Sequence, residues 1–224
     1  AVHSLKDLPT HAPEGLVISA VSYREDPADI LIINKNRTDQ NLLFQLPESA
    51  KVGTSSSRRK AQLSDLRSDI QLVDIRGNVP TRIEKLKHGD FDAILLAAAG
   101  IKRLELDLSD FKIIKFDPTE IIPAPAQGVL AWQTMEKDLQ TRRLLMGIHQ
   151  SEVADVTNVE RKVLNLMNGG CQMPLGVYCY KDNLGNYHVH AAFSPKVDSP
   201  LIRVSISSAT HYQLAEQVVE KLRS

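Results

Sequence analysis

Cysteine is scarce in this chain: Cys171 and Cys179 are the only two in 224 residues. Two thiols cannot build a disulfide framework, and nothing resembles a secretory signal, so a reducing, cytoplasmic setting is expected. Net charge is also lacking, with 27 Lys plus Arg against 27 Asp plus Glu. That balance excludes a global field drawing the chain to nucleic acid or to an anionic membrane and leaves only a local basic cleft. Aromatic residues make up 5%, too few for a base-stacking surface. No unbroken apolar run reaches membrane-spanning length. What is present is 42% hydrophobic residues, enough for buried cores, at a length that fits two or three small lobes better than one large one. Ala1–Ser4 reads as the tail of a strand with no initiator methionine before it, and the chain is expected to be a fragment.

From residue 51 to 98 strand-like and helix-like stretches alternate. Lys51–Thr54 reads as a strand, Ser57–Leu66 as a helix, Ile70–Ile75 as a strand, Pro80–His88 as a helix closed by Gly89, and Ala93–Ala97 as a buried strand. This β-α-β-α-β order predicts a mostly parallel sheet whose ligands gather beyond the carboxyl ends of the strands. From Ser151 the texture changes. Val156, Val159, Val163, Leu164 and Met167 form a helical stripe, Leu175–Tyr180, Tyr187–Phe193 and Leu201–Ser205 alternate as strands, and His211–Leu222 closes as a helix. An antiparallel α+β unit is expected, with a turn at Asp182–Asn186. Tyr23–Pro27 and Ile121–Gly128 are punctuated by proline or glycine and read as two crossings between lobes. Residues 1–22 and 123–146 are therefore assigned to one domain, 28–120 to a second and 151–224 to a third, with a closing cleft between the first two.

Cys171 follows Gly169 and Gly170 and precedes Gln172, Met173 and Pro174. A thiol on such a turn has no packing task and is open to a reaction partner. Arg58, Arg59, Arg76, Arg82 and Arg103 fall near strand ends on one expected rim, where guanidinium forks match carboxylate or phosphate. The competing reading is that they are solvated helix charges. Asp7, beside Lys6, is either a surface ion pair or the one anion in a cationic site, suited to stabilise a cationic intermediate or to pass protons.

Other features read as structural. Cys179 in Val177–Tyr180 is expected to be an inert buried strand residue. His188 and His190 share a strand face without a third ligand, so no metal is expected. His3 is expected to make a structural hydrogen bond, and Trp132 to lie in a core. A non-enzymatic two-lobed binding protein for a carboxylate-rich small molecule would account for the arginines and crossings but not for the loop thiol or Asp7. A nucleic-acid-binding protein fits the charge balance poorly.

The segments Ala1–Pro9 (AVHSLKDLP), Val52–Arg59 (VGTSSSRR), Arg76–Arg82 (RGNVPTR), Leu95–Leu104 (LLAAAGIKRL) and Gly169–Gln172 (GGCQ) occur in one order across nearly the whole chain. In these motifs the sequence resembles the porphobilinogen deaminase (hydroxymethylbilane synthase) family. The resemblance implies an α/β fold of three lobes: two periplasmic-binding-protein-like α/β domains, the first incomplete here, and a small C-terminal α+β domain. It implies a monomeric cytoplasmic transferase of haem biosynthesis that joins four porphobilinogen molecules head to tail into hydroxymethylbilane, with release of ammonia, on a covalent dipyrromethane cofactor. Cys171 would carry that cofactor through a thioether and Asp7 would be catalytic. Lys6, Ser4, Thr54, Ser56, Arg58, Arg59 and Arg76 would surround the cofactor, and Arg76, Arg82 and Arg103 would hold substrate carboxylates.

The chemistry suits these residue types. Loss of ammonia from an aminomethyl pyrrole leaves an electrophilic azafulvene, which a thiolate captures once and a pyrrole α-carbon attacks thereafter. Positive charge on the pyrrole nitrogen calls for a nearby carboxylate. Two departures from the family pattern set further expectations. The segment that supplies the first strand and helix of lobe one is missing, and Val129–Met135 lacks the acidic residue and arginine commonly found there. The 224-residue chain is therefore expected not to complete its first lobe or to turn over robustly.

Overall fold

The computed structural model of the chain describes residues 1–170, 172–195 and 199–224. In chain order the elements are β1 (Val2–Ser4), β2 (Leu16–Val21), β3 (Asp29–Asn34), β4 (Lys51–Gly53), α1 (Ser57–Leu66), β5 (Gln71–Val73), α2 (Val79–Lys87), β6 (Ala93–Ala97) and α3 (Ala98–Leu104). They continue with β7 (Phe111–Lys115), β8 (Leu130–Met135), α4 (Leu139–Met146), α5 (Ser151–Leu166), β9 (Leu175–Lys181), β10 (Tyr187–Phe193), β11 (Ile202–Ser208) and α6 (Leu214–Arg223). Among the described residues the strands form three sheets, ordered β1-β8-β2, β5-β4-β6-β3-β7 and β11-β10-β9.

The central sheet is mostly parallel, as expected, with β3 as its one reversed strand. β4 pairs in parallel with β5 and with β6, as the alternating pattern implies, but β3 runs antiparallel to both β6 and β7. The physical reason lies in β3 itself. Asp29 to Ile33 are all buried, so this strand belongs inside the sheet, and its apolar run carries no sign of direction. Its side chains alternate between two cores: Leu31 and Ile33 join Leu46, Val52, Leu63 and Leu95 on one face, while Ile30 and Ile32 join Ile75, Leu86 and Ile94 on the other. α1 starts where Ser56 caps it, its side chain accepting from Arg59 N at 3.5 Å. α2 starts where Asn78 Oδ1 accepts from Thr81 N at 2.9 Å.

The first sheet joins distant segments, with β8 lying antiparallel between β1 and β2. The third sheet is antiparallel throughout, with the expected turn after β9 held by Asp182 N donating to Asn186 O at 3.0 Å. α5 and α6 cover it through Val163, Leu164, Val218 and Leu222.

The two crossings run together. Ser22 N donates to Leu130 O at 2.9 Å and Glu25 N to Gly128 O at 3.0 Å. Gly128 has φ +93°, and a Cβ there would sit 2.3 Å from Glu25 O, so both conformation and space demand glycine. No helix among the described residues is long and apolar enough to cross a membrane.

Candidate active site

The Leu5–Asp7 turn directly follows β1 and is anchored from three sides. Leu5 N donates to Val129 O at 2.9 Å, Leu8 N closes the turn on Leu5 O at 3.3 Å, and Arg161 on α5 donates to Leu5 O, Leu8 O and Pro9 O at 2.9, 3.1 and 2.6 Å. Leu5 is buried as the peg of this turn, whereas Asp7 is exposed and Lys6 half-buried. The turn thus presents a carboxylate and an ammonium from a fixed backbone. Burial, reinforced by Arg59, lowers the Lys6 pKa to about 8 despite the opposing pull of Asp7 and Asp29.

Two cavities meet at this turn. One, of about 190 Å³, is walled by Lys6, Asp7, Ser56, Arg58, Arg59, Gln127 and the loop residues Gly170 and Gln172. Cys171 lies outside the described residues, but its neighbours on both sides face the same cavity as Asp7. The other cavity, of about 530 Å³, is walled by Ser4, Lys6, Asp7, Arg59, Arg82, Arg103 and Gln127, with Asn78 and Gly100 at the starts of α2 and α3. Lys6, Asp7, Arg59 and Gln127 belong to both walls. A substrate in one cavity and a group in the other would therefore meet at Asp7.

Arg58 and Arg59 are not solvated helix charges, which corrects that reading: they retain 4% and 7% of their exposure. Arg58 Nη1 donates to Asp29 Oδ2 at 2.7 Å and to Ile122 O at 2.8 Å; Arg59 Nη2 donates to Asp29 Oδ1 at 2.7 Å and Arg59 Nη1 to Leu95 O at 3.1 Å. Burial pushes the Asp29 carboxyl up, but the charges and hydrogen bonds of the two guanidiniums outweigh it and hold it well below the usual carboxylate range. The Nε atoms of Arg58 and Arg59 and Oε1 of Gln127 are buried with no hydrogen-bond partner. These orphans belong to cavity-wall residues, and a carboxylate-bearing group would satisfy the two donors.

The remaining sequence candidates divide. Ser56 lines the smaller cavity, and Ser4, Arg82 and Arg103 line the larger. Arg82 Nε donates to Gly77 O at 2.8 Å, and burial, with Arg59, lowers its pKa. Arg103 Nη2 donates to Gly128 O at 2.7 Å, tying α3 to the second crossing. Thr54 is 1% exposed and lies on neither wall; its hydroxyl accepts from Ser56 N at 3.3 Å and supports the loop from below. Arg76 is exposed and lies on neither wall. Cys179 is 1% exposed in β9, and burial, with Glu160, raises its thiol pKa.

Sequence reasoning passed over Asp29, Gln127 and Glu160. Asp29 had one available signal: it is an acid heading an otherwise apolar run. Glu160 had another, since it falls four residues after Val156 on the apolar stripe of α5.

A family model described as "Porphobilinogen deaminase, dipyromethane cofactor binding domain" matches residues 1–143. A porphobilinogen deaminase of Chloroherpeton thalassium is 43% identical over 221 residues, which is 97% of this chain and 68% of that protein. One of Streptococcus sanguinis is 41% identical over 223 residues, 99% of this chain and 71% of that protein. One of Campylobacter jejuni subsp. doylei is 45% identical over 177 residues, 79% of this chain and 56% of that protein. The chain thus spans between about half and three quarters of the length of these relatives. A solved periplasmic binding protein of Salmonella typhimurium with high arginine specificity is 16% identical, covering 64% of this chain and 59% of that chain at a TM-score of 0.39. It is too distant to bear on fold or ligand.

Proposed function

We propose, from the premise that this chain belongs to the porphobilinogen deaminase family, that its two joined cavities serve the head-to-tail condensation of porphobilinogen into hydroxymethylbilane with loss of ammonia. The observation that carries this reading is the shared wall. The loop on either side of Cys171 and the arginines of α1 line one cavity, Arg82 and Arg103 line the other, and Asp7 stands between them.

Cys171 holds the dipyrromethane cofactor as a thioether. When bound, that group supplies the free pyrrole α-carbon from which the chain grows. Arg58 and Arg59, with two buried Nε donors unclaimed, take one of its carboxylates, and Ser56 and Lys6 assist. Arg82 and Arg103 take carboxylates of the incoming porphobilinogen in the larger cavity, with Ser4 at its edge. Thr54 acts through Ser56, and Arg76 acts, if at all, from outside both walls. Asp7 accepts the pyrrole N–H of the substrate, stabilises positive charge as ammonia departs, and is placed to take the proton released when the new carbon–carbon bond restores the pyrrole. Residues 1–22 with 123–146, 28–120 and 151–224 act as three domains, in a cytoplasmic monomer.

Intact mass of the purified chain after incubation with porphobilinogen tests the reading. The expected adduct equals two porphobilinogen molecules less two ammonia, since each C–S or C–C bond formed expels one, and it is absent from Cys171→Ser. Reversible porphobilinogen binding with no adduct would favour a non-enzymatic carboxylate-binding protein instead.

A further inference from the structure

Asp29 is fully buried at the first residue of β3 and is enclosed by donors. Oδ2 accepts from Arg58 Nη1 at 2.7 Å, while Oδ1 accepts from Arg59 Nη2 at 2.7 Å and from Gln127 Nε2 at 2.8 Å. The Gln127 amide also donates to Pro27 O at 2.7 Å, which fixes its nitrogen toward Asp29 and leaves Oε1 without a partner. Every neighbour that touches this carboxylate is a wall residue of the smaller cavity.

The charge arithmetic is simple. Two adjacent buried guanidiniums with one carboxylate between them carry a net single positive charge. Without Asp29 the two like charges would repel in a medium where they cannot be solvated. With it, both are held by terminal nitrogens, while their buried Nε atoms have no hydrogen-bond partner.

We propose that Asp29 is a permanent internal anion and positioning residue, which occupies one side of the Arg58–Arg59 pair and so limits the pair to one ligand carboxylate. This deepens the reading of the cavity as a carboxylate site and rests on it. The pair would otherwise be able to take two carboxylates, and a pyrrole bearing two acidic arms would have no preferred way round. Asp29 thus contributes to register without touching substrate.

The test uses the full chain and glutarate, an unreactive dicarboxylate, with binding followed by calorimetry. Asp29→Asn keeps shape and one acceptor but removes the charge. It is expected to melt at a lower temperature when unliganded and to bind glutarate about tenfold more tightly than the wild type, the scale of one added charged hydrogen bond. Arg58→Gln leaves net zero charge and is expected to lose glutarate binding, and Arg58→Gln with Asp29→Asn returns the net charge to one and is expected to recover it. A purely structural Asp29 would give additive damage and no recovery. If the wild type binds glutarate but the double variant does not recover, the inference is overturned, whether or not Asp29→Asn alone folds. If the wild type binds neither glutarate nor porphobilinogen, the reading of the cavity as a carboxylate site fails first.

Discussion

Arg24, half-buried, and Glu160, fully buried, form an ion pair that joins the first crossing to α5. Arg24 Nη1 donates to Glu160 Oε1 at 2.7 Å and Arg24 Nη2 to Glu160 Oε2 at 3.3 Å, with Glu160 0% exposed. Glu160 also accepts from Ala126 N of the second crossing at 2.6 Å and from Cys179 N of β9 at 2.8 Å. One carboxylate thus ties both crossings to the third sheet. The neighbouring residue, Arg161, fastens the turn that carries Asp7.

Removing one member of this pair strands the other. Glu160→Leu is expected to cost about 3–5 kcal/mol, the usual consequence of leaving one buried charge without its partner. Arg24→Met with Glu160→Leu is expected to recover only the part due to the stranded Arg24, since the Ala126 and Cys179 N–H groups stay unpaired in both variants. Thermal and urea unfolding of the single and double variants give the comparison.

Asp7→Asn separates chemistry from folding. The side chain is exposed, so the melting temperature should stay within about 1–2 °C of the wild type, as for most surface changes. Ammonia release from porphobilinogen should fall by about 100-fold or more, the scale of a lost acid–base group. A small change in rate would remove Asp7 from the reaction.

Lys6 gives the site a pH dependence of known sign. Its folded pKa of about 8 lies below the ordinary lysine value of 10.5. The native state therefore binds fewer protons than the unfolded chain between these values, and the Lys6 contribution to stability rises with pH across that window. Carboxylate binding has the opposite slope, because raising pH through about 8 removes a positive charge from both cavity walls. Glutarate affinity measured from pH 7 to 9.5 should fall in the wild type and be flatter in Lys6→Met.

Gly128→Ala is expected to destabilise the chain by about 3 kcal/mol or more, combining a strained left-handed backbone with a clash. The clash is with backbone, Glu25 O at 2.3 Å, and cannot be relieved by a rotamer change. Gly185, also at positive φ but with nothing within 4 Å of its Cβ position, serves as the control. Gly185→Ala should cost about 1 kcal/mol. Urea unfolding distinguishes the two.

Cys179 should resist alkylation at pH 8 in the folded chain and react on unfolding. It is 1% exposed, and burial raises its pKa, so the thiolate is scarce and shielded. Peptide mapping after iodoacetamide treatment reports this site by itself.

Local rules made some elements legible and long-range pairing hid others. α1 and β6 have the bounds expected of them, because a serine cap and a short apolar run are local signals. The direction of β3 is not local, since an unbroken apolar run satisfies either orientation. The motifs brought Asp7, Lys6, Arg58, Arg59, Arg82 and Arg103 forward, and all six line the cavities. That Arg58 and Arg59 already hold an internal partner could not be read from their own segment, because Asp29 lies 29 and 30 residues away in sequence. The position of Thr54 under the loop and of Arg76 outside the walls likewise depends on side-chain direction at strand ends, which spacing does not give.

The first sheet has a consequence for the order of folding. Ser22 and Leu130, joined through Leu130 N and Ser22 Oγ, stand 108 residues apart in sequence. During synthesis β1 and β2 emerge before the central sheet, yet the strand that pairs with both comes only after the whole of it. Closing so long a loop carries a large entropic penalty unless intervening structure has already drawn the ends together. The central sheet therefore acts as a scaffold in time as well as in space, and until β8 arrives β1 and β2 lack the strand that pairs with both, an opening for mispairing and aggregation.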